Sequence, residues 1–264
     1  MLFLTGFLLF EIKGQELHWR HVVTVDVGGL DQISLDNRGS LLYSDKGGNV
    51  FKLTGKGELE NYYSPSFQGK LNQLEAFWPS YIFLFSPDLQ QITLLDVFLS
   101  PITIFSIRND HIDRIGTATL GSKQVVWIFD EIGRSLIQYD YLKNEIQQKQ
   151  PLFNLLGEGE IEIVEMLERQ SLLFMNIKKE GVLIFDNQGN FIKKLAIGLE
   201  QKLNIYKDHL YYTDKDSIYQ VNFITGEQRV LAAPLCFYNK VLVGADKVVF
   251  YSDSSIVIYD QPSL

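Results

Sequence analysis

His209-Leu210-Tyr211-Tyr212-Thr213-Asp214 leads through three polar residues into Ile218-Tyr219-Gln220-Val221-Asn222 and on to Thr225-Gly226. Both runs are rich in aromatic and β-branched residues, are too short for a typical helix, and flank a polar turn. They read as neighbouring strands of a hairpin. The first run closes on an apolar and aromatic pair, a small polar residue and an acid. That ending recurs in Leu42-Tyr43-Ser44-Asp45, Leu84-Phe85-Ser86-Pro87, Ile128-Phe129-Asp130, Phe174-Met175-Asn176 and Tyr251-Ser252-Asp253. Anchored on Asp45, Pro87, Asp130, Asn176, Asp214 and Asp253, the steps are 42, 43, 46, 38 and 39 residues. A second apolar run follows each anchor, such as Val50-Phe51-Lys52-Leu53 or Val182-Leu183-Ile184-Phe185, and usually a turn and a third run after it.

Four short strands repeated about every forty residues are the signature of a β-propeller. Helical periodicity over ten or more residues is nearly absent, which disfavours alternating strands and helices. A lone four-stranded blade cannot bury both of its faces, whereas blades packed in a ring supply one another with a core. The last copy lacks a fourth strand. An orphan strand, residues 20–27, stands before the first copy and is predicted to complete the last blade. The fold class is therefore all-β, a six-bladed propeller closed by an N-terminal strand, with seven blades as the alternative.

Residues 209–226 also resemble the YWTD repeat of six-bladed propellers in lipoprotein-receptor ectodomains, and residues 42–45 and 250–253 echo it. Pro87 and Asn176 depart from the pattern, so the resemblance implies blade number and says little about partners. It covers residues 20–264 as a loose repeat.

The 264 residues are 46% hydrophobic and 21% charged, as in an ordinary globular protein. The net charge of −8 repels phosphate backbones and argues against a nucleic-acid partner. A single cysteine, Cys236, allows no intrachain disulfide, and between Leu235 and Phe237 it reads as a buried, inert thiol. Residues 2–10 form an apolar run too short to span a bilayer but long enough for the core of a signal peptide, although no Lys or Arg precedes it. Residues 1–14 are accordingly expected to be a signal peptide, cut after Gly14, and residues 15–264 a single propeller domain. The alternative is a buried first strand. No further stretch has the length for a membrane-spanning helix. Export without disulfides or Asn-x-Ser/Thr sequons suits a bacterial periplasm or outer membrane.

The recurrent Asp ends a strand, where its carboxylate accepts hydrogen bonds from amides of the next turn, so it reads as structural. His18 and His21 fall on opposite faces of an extended strand, and His111 lies in a polar loop. No nucleophile elbow, zinc-binding pair of histidines, phosphate loop or dinucleotide fingerprint occurs. The expectation is a protein without catalytic residues or a cofactor. A competing reading is a metal-dependent hydrolase or lactonase of the strictosidine-synthase or gluconolactonase kind. Its divalent metal would sit in the central channel, with Asp31, Glu75, Glu162 and Asn204 from the first strands converging on it.

A partner is sought on the second blade. Its first turn carries Phe77-Trp78-Pro79-Ser80 and its third Val97-Phe98-Leu99-Ser100-Pro101, where the corresponding turns of other blades are polar. Trp78, Pro79, Val97, Phe98 and Leu99 are expected to emerge side by side as a binding patch. Residues 62–67 and 153–156 are weaker candidates on the opposite face. A sugar or peptide binder using these aromatic loops is a third reading. The favoured reading is an exported subunit that presents flat loop faces to a larger outer-membrane protein. In size, address and fold it is similar to accessory propellers of outer-membrane complexes, including the plug of the type IX secretion translocon.

Overall fold

In the computed structural model, residues 18–107, 111–157, 159–234, 238 and 240–262 are described. The apolar run 2–10, the cleavage position at Gly14, Cys236 and the Asn109-Asp110 part of the His111 loop lie outside the described residues.

Six four-stranded antiparallel sheets form the ring. Blade one is β2 (Leu30–Leu35), β3 (Leu41–Asp45), β4 (Val50–Leu53) and β5 (Leu59–Tyr63). Blade two is β6 (Gln73–Glu75), β7 (Ile82–Ser86), β8 (Gln91–Leu95) and β9 (Pro101–Ser106). Blade three is β10 (Ile115–Leu120), β11 (Val125–Asp130), β12 (Ser135–Asp140) and β13 (Glu145–Pro151). Blade four is β14 (Ile163–Arg169), β15 (Leu172–Ile177), β16 (Gly181–Asp186) and β17 (Phe191–Leu195). Blade five is β18 (Asn204–Tyr206), β19 (His209–Asp214), β20 (Ser217–Asn222) and β21 (Gln228–Ala232). Blade six holds β22 (Lys240–Val243), β23 (Lys247–Tyr251) and β24 (Ser255–Asp260), and β1 (Arg20–Asp26) pairs antiparallel with β24 as its fourth strand. The six-blade count and the closing strand expected from the sequence are what the fold contains.

Sequence and burial correspond strand by strand. The second strand of a blade has neighbours on both faces, so Ile82-Phe83-Leu84-Phe85 and Val125-Val126-Trp127-Ile128-Phe129 are continuous apolar runs buried throughout. Fourth strands lie at the rim and show polar or exposed residues, as in β13 with its regular alternation. Six apolar clusters fill the spaces between blades. One example joins Phe83, Phe85 and Ile92 of blade two to Ala118, Val126 and Ile137 of blade three.

The turn between third and fourth strands is the most regular element of the repeat. Its first residue accepts backbone N–H groups with a side-chain oxygen: Thr54 from Lys56 and Glu58, Asp96 from Phe98 and Ser100, Asp186 from Gln188 and Asn190, Asn222 from Ile224 and Thr225. Two anchor acids cap the second-to-third turn as expected: Asp45 accepts from Gly47 at 2.9 Å and Asn49 at 3.0 Å, and Asp130 from Gly133 at 3.3 Å, whereas the Asp253 carboxylate bonds Lys240 instead. First strands share another device. In β2, β10 and β14 the register shifts near the start, between Leu30 and Gln32, Ile115 and Thr117, and Ile163 and Glu165. Each bulge leaves one residue of the first strand unpaired and increases the local twist there.

Candidate functional site

The turns leaving the first and third strands open on one face of the disc, and blade two departs from the others there. Its two turns do not form the single patch expected from the sequence. Residues 76–81 fold inward over the channel. Phe77 is buried in a cluster with Leu167, Leu203, Ile205, Leu210 and Phe223, on the far side of the ring. Its carbonyl accepts Asn37 Nδ2 at 2.5 Å. Trp78 is half-buried and donates Nε1–H to Glu75 Oε2 at 2.7 Å, while Pro79 is exposed at the top of the loop.

Residues 96–100 lie instead at the rim, against blade one. Lys52 Nζ donates to the Val97 carbonyl at 3.1 Å, and Asn61 Nδ2 to the Phe98 carbonyl at 2.5 Å. Val97 is half-buried and Phe98 is 66% exposed, but Leu99 is 4% exposed and packs with Leu42, Val50 and Leu84. The backbone explains Leu99. It has φ +66°, in the position that Gly57 and Gly189 occupy in blades one and four, and this left-handed turn swings its side chain back between the blades. Leu99 is therefore a core residue, and Trp78 and Phe98 belong to two separate places.

The four groups proposed for a channel metal also disperse. Asp31 pairs with Lys70 at 3.5 Å. Asn204 accepts the Val243 N–H at 2.9 Å, stitching blade five to blade six. Glu162 precedes the bulge of β14, and its exposed carboxylate lies 2.7 Å from Lys178 Nζ. Of these four, only Glu75 is fully buried as an acid, and it accepts hydrogen bonds from Gln73 Nε2 at 3.0 Å and from Trp78, while Asp31 acts on the channel from beside Lys70 through its attraction to Lys202. Among the described residues no group of three or more His, Cys, Asp or Glu side chains could hold a metal ion.

The channel's real charge set was not singled out in the sequence. Glu165, past the bulge, turns inward, accepts the Leu203 N–H at 2.6 Å and lies 3.7 Å from Lys202 Nζ. Lys202 also donates to the Asn72 carbonyl and to Gln73 Oε1 at 3.3 Å. Burial pushes the Glu165 carboxyl up and the Lys202 amine down, and their mutual attraction opposes both shifts. Lys202 lies in a polar stretch just before β18, so its sequence context carried no signal of an inward position.

Burial pushes Glu75 up to about 7, against the hydrogen bonds from Thr119, Trp78 and Gln73 that favour its ionised form. Between its ordinary value of 4.5 and about 7, the folded protein keeps a proton that the unfolded chain has released. Stability therefore falls as pH rises through that window, by on the order of 3 kcal/mol in all. Glu75→Gln is expected to flatten that part of the pH profile and to gain stability over wild type at pH 8. Urea midpoints at pH 5 and pH 8 measure it, and parallel profiles for the two proteins would refute the assignment.

No protein-family model matches the chain, and no curated protein matches it. Solved structures do. BamB from Moraxella catarrhalis is similar with a TM-score of 0.52 and 12% identity, over 87% of this chain and 84% of that one. The Pan2 WD40 domain of Neurospora crassa is similar with a TM-score of 0.61 and 10% identity, over 93% of this chain and 96% of that one. At such identities the likeness speaks for architecture, and with six sheets in the ring the chain is a six-bladed β-propeller.

Proposed function

We propose that this protein is a non-catalytic, protein-binding propeller subunit of a bacterial cell envelope, accessory to a large outer-membrane complex such as the type IX secretion translocon. The observation that carries the binding role is the outer strand of blade two. β9 reads Pro101-Ile102-Thr103-Ile104-Phe105-Ser106 and contains no charged residue. The other five outer strands each carry at least one: Arg20 and Asp26, Glu60, Glu145 and Lys149, Lys193 and Lys194, Arg229. Proteins guard exposed sheet edges with charge, because an unguarded edge pairs with foreign strands. Here Ile102 and Ile104 are 51% and 48% exposed, next to Phe98 at the head of the strand. An apolar edge left open in this way suits a partner that adds a strand or packs on the rim. The apolar run 2–10 and the single cysteine support the envelope address.

Ile104→Lys and Phe98→Asp each restore a charge to this rim. Captured from solubilised envelope, one outer-membrane protein is expected with the wild-type chain, and about tenfold less or lower with either variant. Trp78→Ala, which alters the channel loop, is expected to capture as wild type does. Equal recovery by wild type and both rim variants would refute the rim as the interface. Absence of the protein from the osmotic-shock and membrane fractions would refute the address.

A further inference from the structure

The guanidinium of Arg169, at the end of β14, sits over the ring of Phe77 with Cζ 3.2 Å from the ring centroid. Its Nε is buried and has no hydrogen-bond partner. No hydrogen bond or ion pair joins its other nitrogens to any described residue either. Buried or half-buried arginines are ordinarily paired, because a charge taken from water needs compensation. Glu75 and Glu165 favour its charge from beyond ion-pair distance, and both are otherwise engaged: Glu75 accepts from Gln73 and Trp78, and Glu165 from Leu203 N–H with Lys202 beside it. Burial lowers the Arg169 pKa to about 10, so at neutral pH the group keeps its charge in a place that disfavours it.

Arg169 borders a cavity of about 280 Å³ at the channel mouth, close to the lower end of the size range of small-molecule sites. Leu74, Leu167, Leu203 and Leu242 give it apolar walls. Asp36 and Asp246 line the cavity too. The Asp36 carboxylate is taken up by the N–H groups of Arg38 and Ser40; Lys207 and Lys247 also line the cavity, and Lys247 is itself bound to Asp260 at 2.5 Å. A guanidinium with one face on an aromatic ring offers its edge as a planar fork, which matches a carboxylate.

We propose that the channel mouth is a carboxylate-binding site, in which Arg169 on its Phe77 platform takes the acid group and the leucines take a compact apolar body. Two sources carry this chemistry, a free branched acid and the C-terminal residue of a peptide. The site is separate from the rim of blade two and stands whether or not that rim binds a protein.

Titration calorimetry with three probes tests it: isovalerate, N-acetyl-alanyl-leucine and the C-terminal amide of that dipeptide. At least one acid is expected to bind at about 1 mM or tighter, and the amide about tenfold weaker or less. Binding of isovalerate alone assigns a free acid, and binding of the dipeptide acid alone assigns a chain terminus. Arg169→Gln is expected to weaken the acid by about tenfold or more, and Arg169→Lys, which keeps the charge but loses the fork, by less. The acid-to-amide comparison is made on the wild-type protein and does not depend on how the variants fold. Silence from both acids up to 10 mM, equal binding of acid and amide, or undiminished binding by a folded Arg169→Gln protein would each overturn the proposal.

Discussion

Beginning the chain at Gly28 is expected to abolish the cooperative thermal transition, and re-attaching residues 18–27 after Leu264 is expected to restore it. In the native ring β1 covers the outer edge of β24, with Arg20 opposite Asp260 and Asp26 opposite Ser255. Three of its valines, Val22, Val23 and Val25, pack half-buried against the cluster of Leu41, Leu53 and Val249. Trp19, just before the strand, stands edge-on to Phe250 and Tyr259 at 5.5 and 5.6 Å and donates to the Ala232 carbonyl at 3.1 Å. Half-burial of three valines is worth about 1 kcal/mol each. Losing these contacts and the strand ladder consumes much of a net stability of about 5–15 kcal/mol. Because Arg20 and Asp260 are register partners, a short linker joins them as a hairpin, and the permuted chain regains the same sheet. Circular dichroism melts of the three chains decide it. A truncated chain that melts cooperatively within a few degrees of the intact one would show that β1 does not hold the ring.

The second large effect is expected at Lys202. Replacing it by Met leaves Glu165 buried with the Leu203 N–H and without its cation. Removing one partner of a buried ion pair costs about 3–5 kcal/mol, because the remaining charge keeps its desolvation penalty. In a domain of this size that lowers the melting temperature by on the order of 10 °C. The loss has a pH signature. Without Lys202 the Glu165 carboxyl, already raised by burial, rises further and is protonated in the folded state at acidic pH. The unfolded chain ionises near its ordinary value, so the variant weakens as pH rises above that value. Lys202→Met is expected to lose less at pH 5 than at pH 8, and the Glu165→Gln/Lys202→Met double variant to recover more than half of the loss. A cost below about 1 kcal/mol at pH 8 would show that the pair is solvated.

Blade number, strand order and closure were legible because each rests on composition repeated at a fixed spacing. The channel and the binding patch were less so, since each depends on where single side chains point. Glu162 and Glu165, three apart, come out on opposite sides of the chain, one exposed and one buried, and the spacing alone does not say which of the two faces inward. Leu99 was misplaced for another reason. Its left-handed backbone, in a turn where glycine is the usual occupant, sends an apolar side chain inward from what reads as an exposed tip. Phe77 shows a third limit. It joins an apolar cluster built largely from blades four and five, across the ring, and no local pattern records a placement made over that sequence distance.

The seam between β1 and β24 also sets an order of events in time. The first strand of the ring to be synthesised bonds to the last, so five blades must stand as an open arc until β24 arrives. Each intermediate arc exposes an unfinished sheet face at both ends, and loop-closure entropy delays the contact that covers them. Closure of the ring is thereby coupled to synthesis of β24. A chain stopped anywhere before β24 lacks the partner of β1 and stays an arc that proteases can recognise.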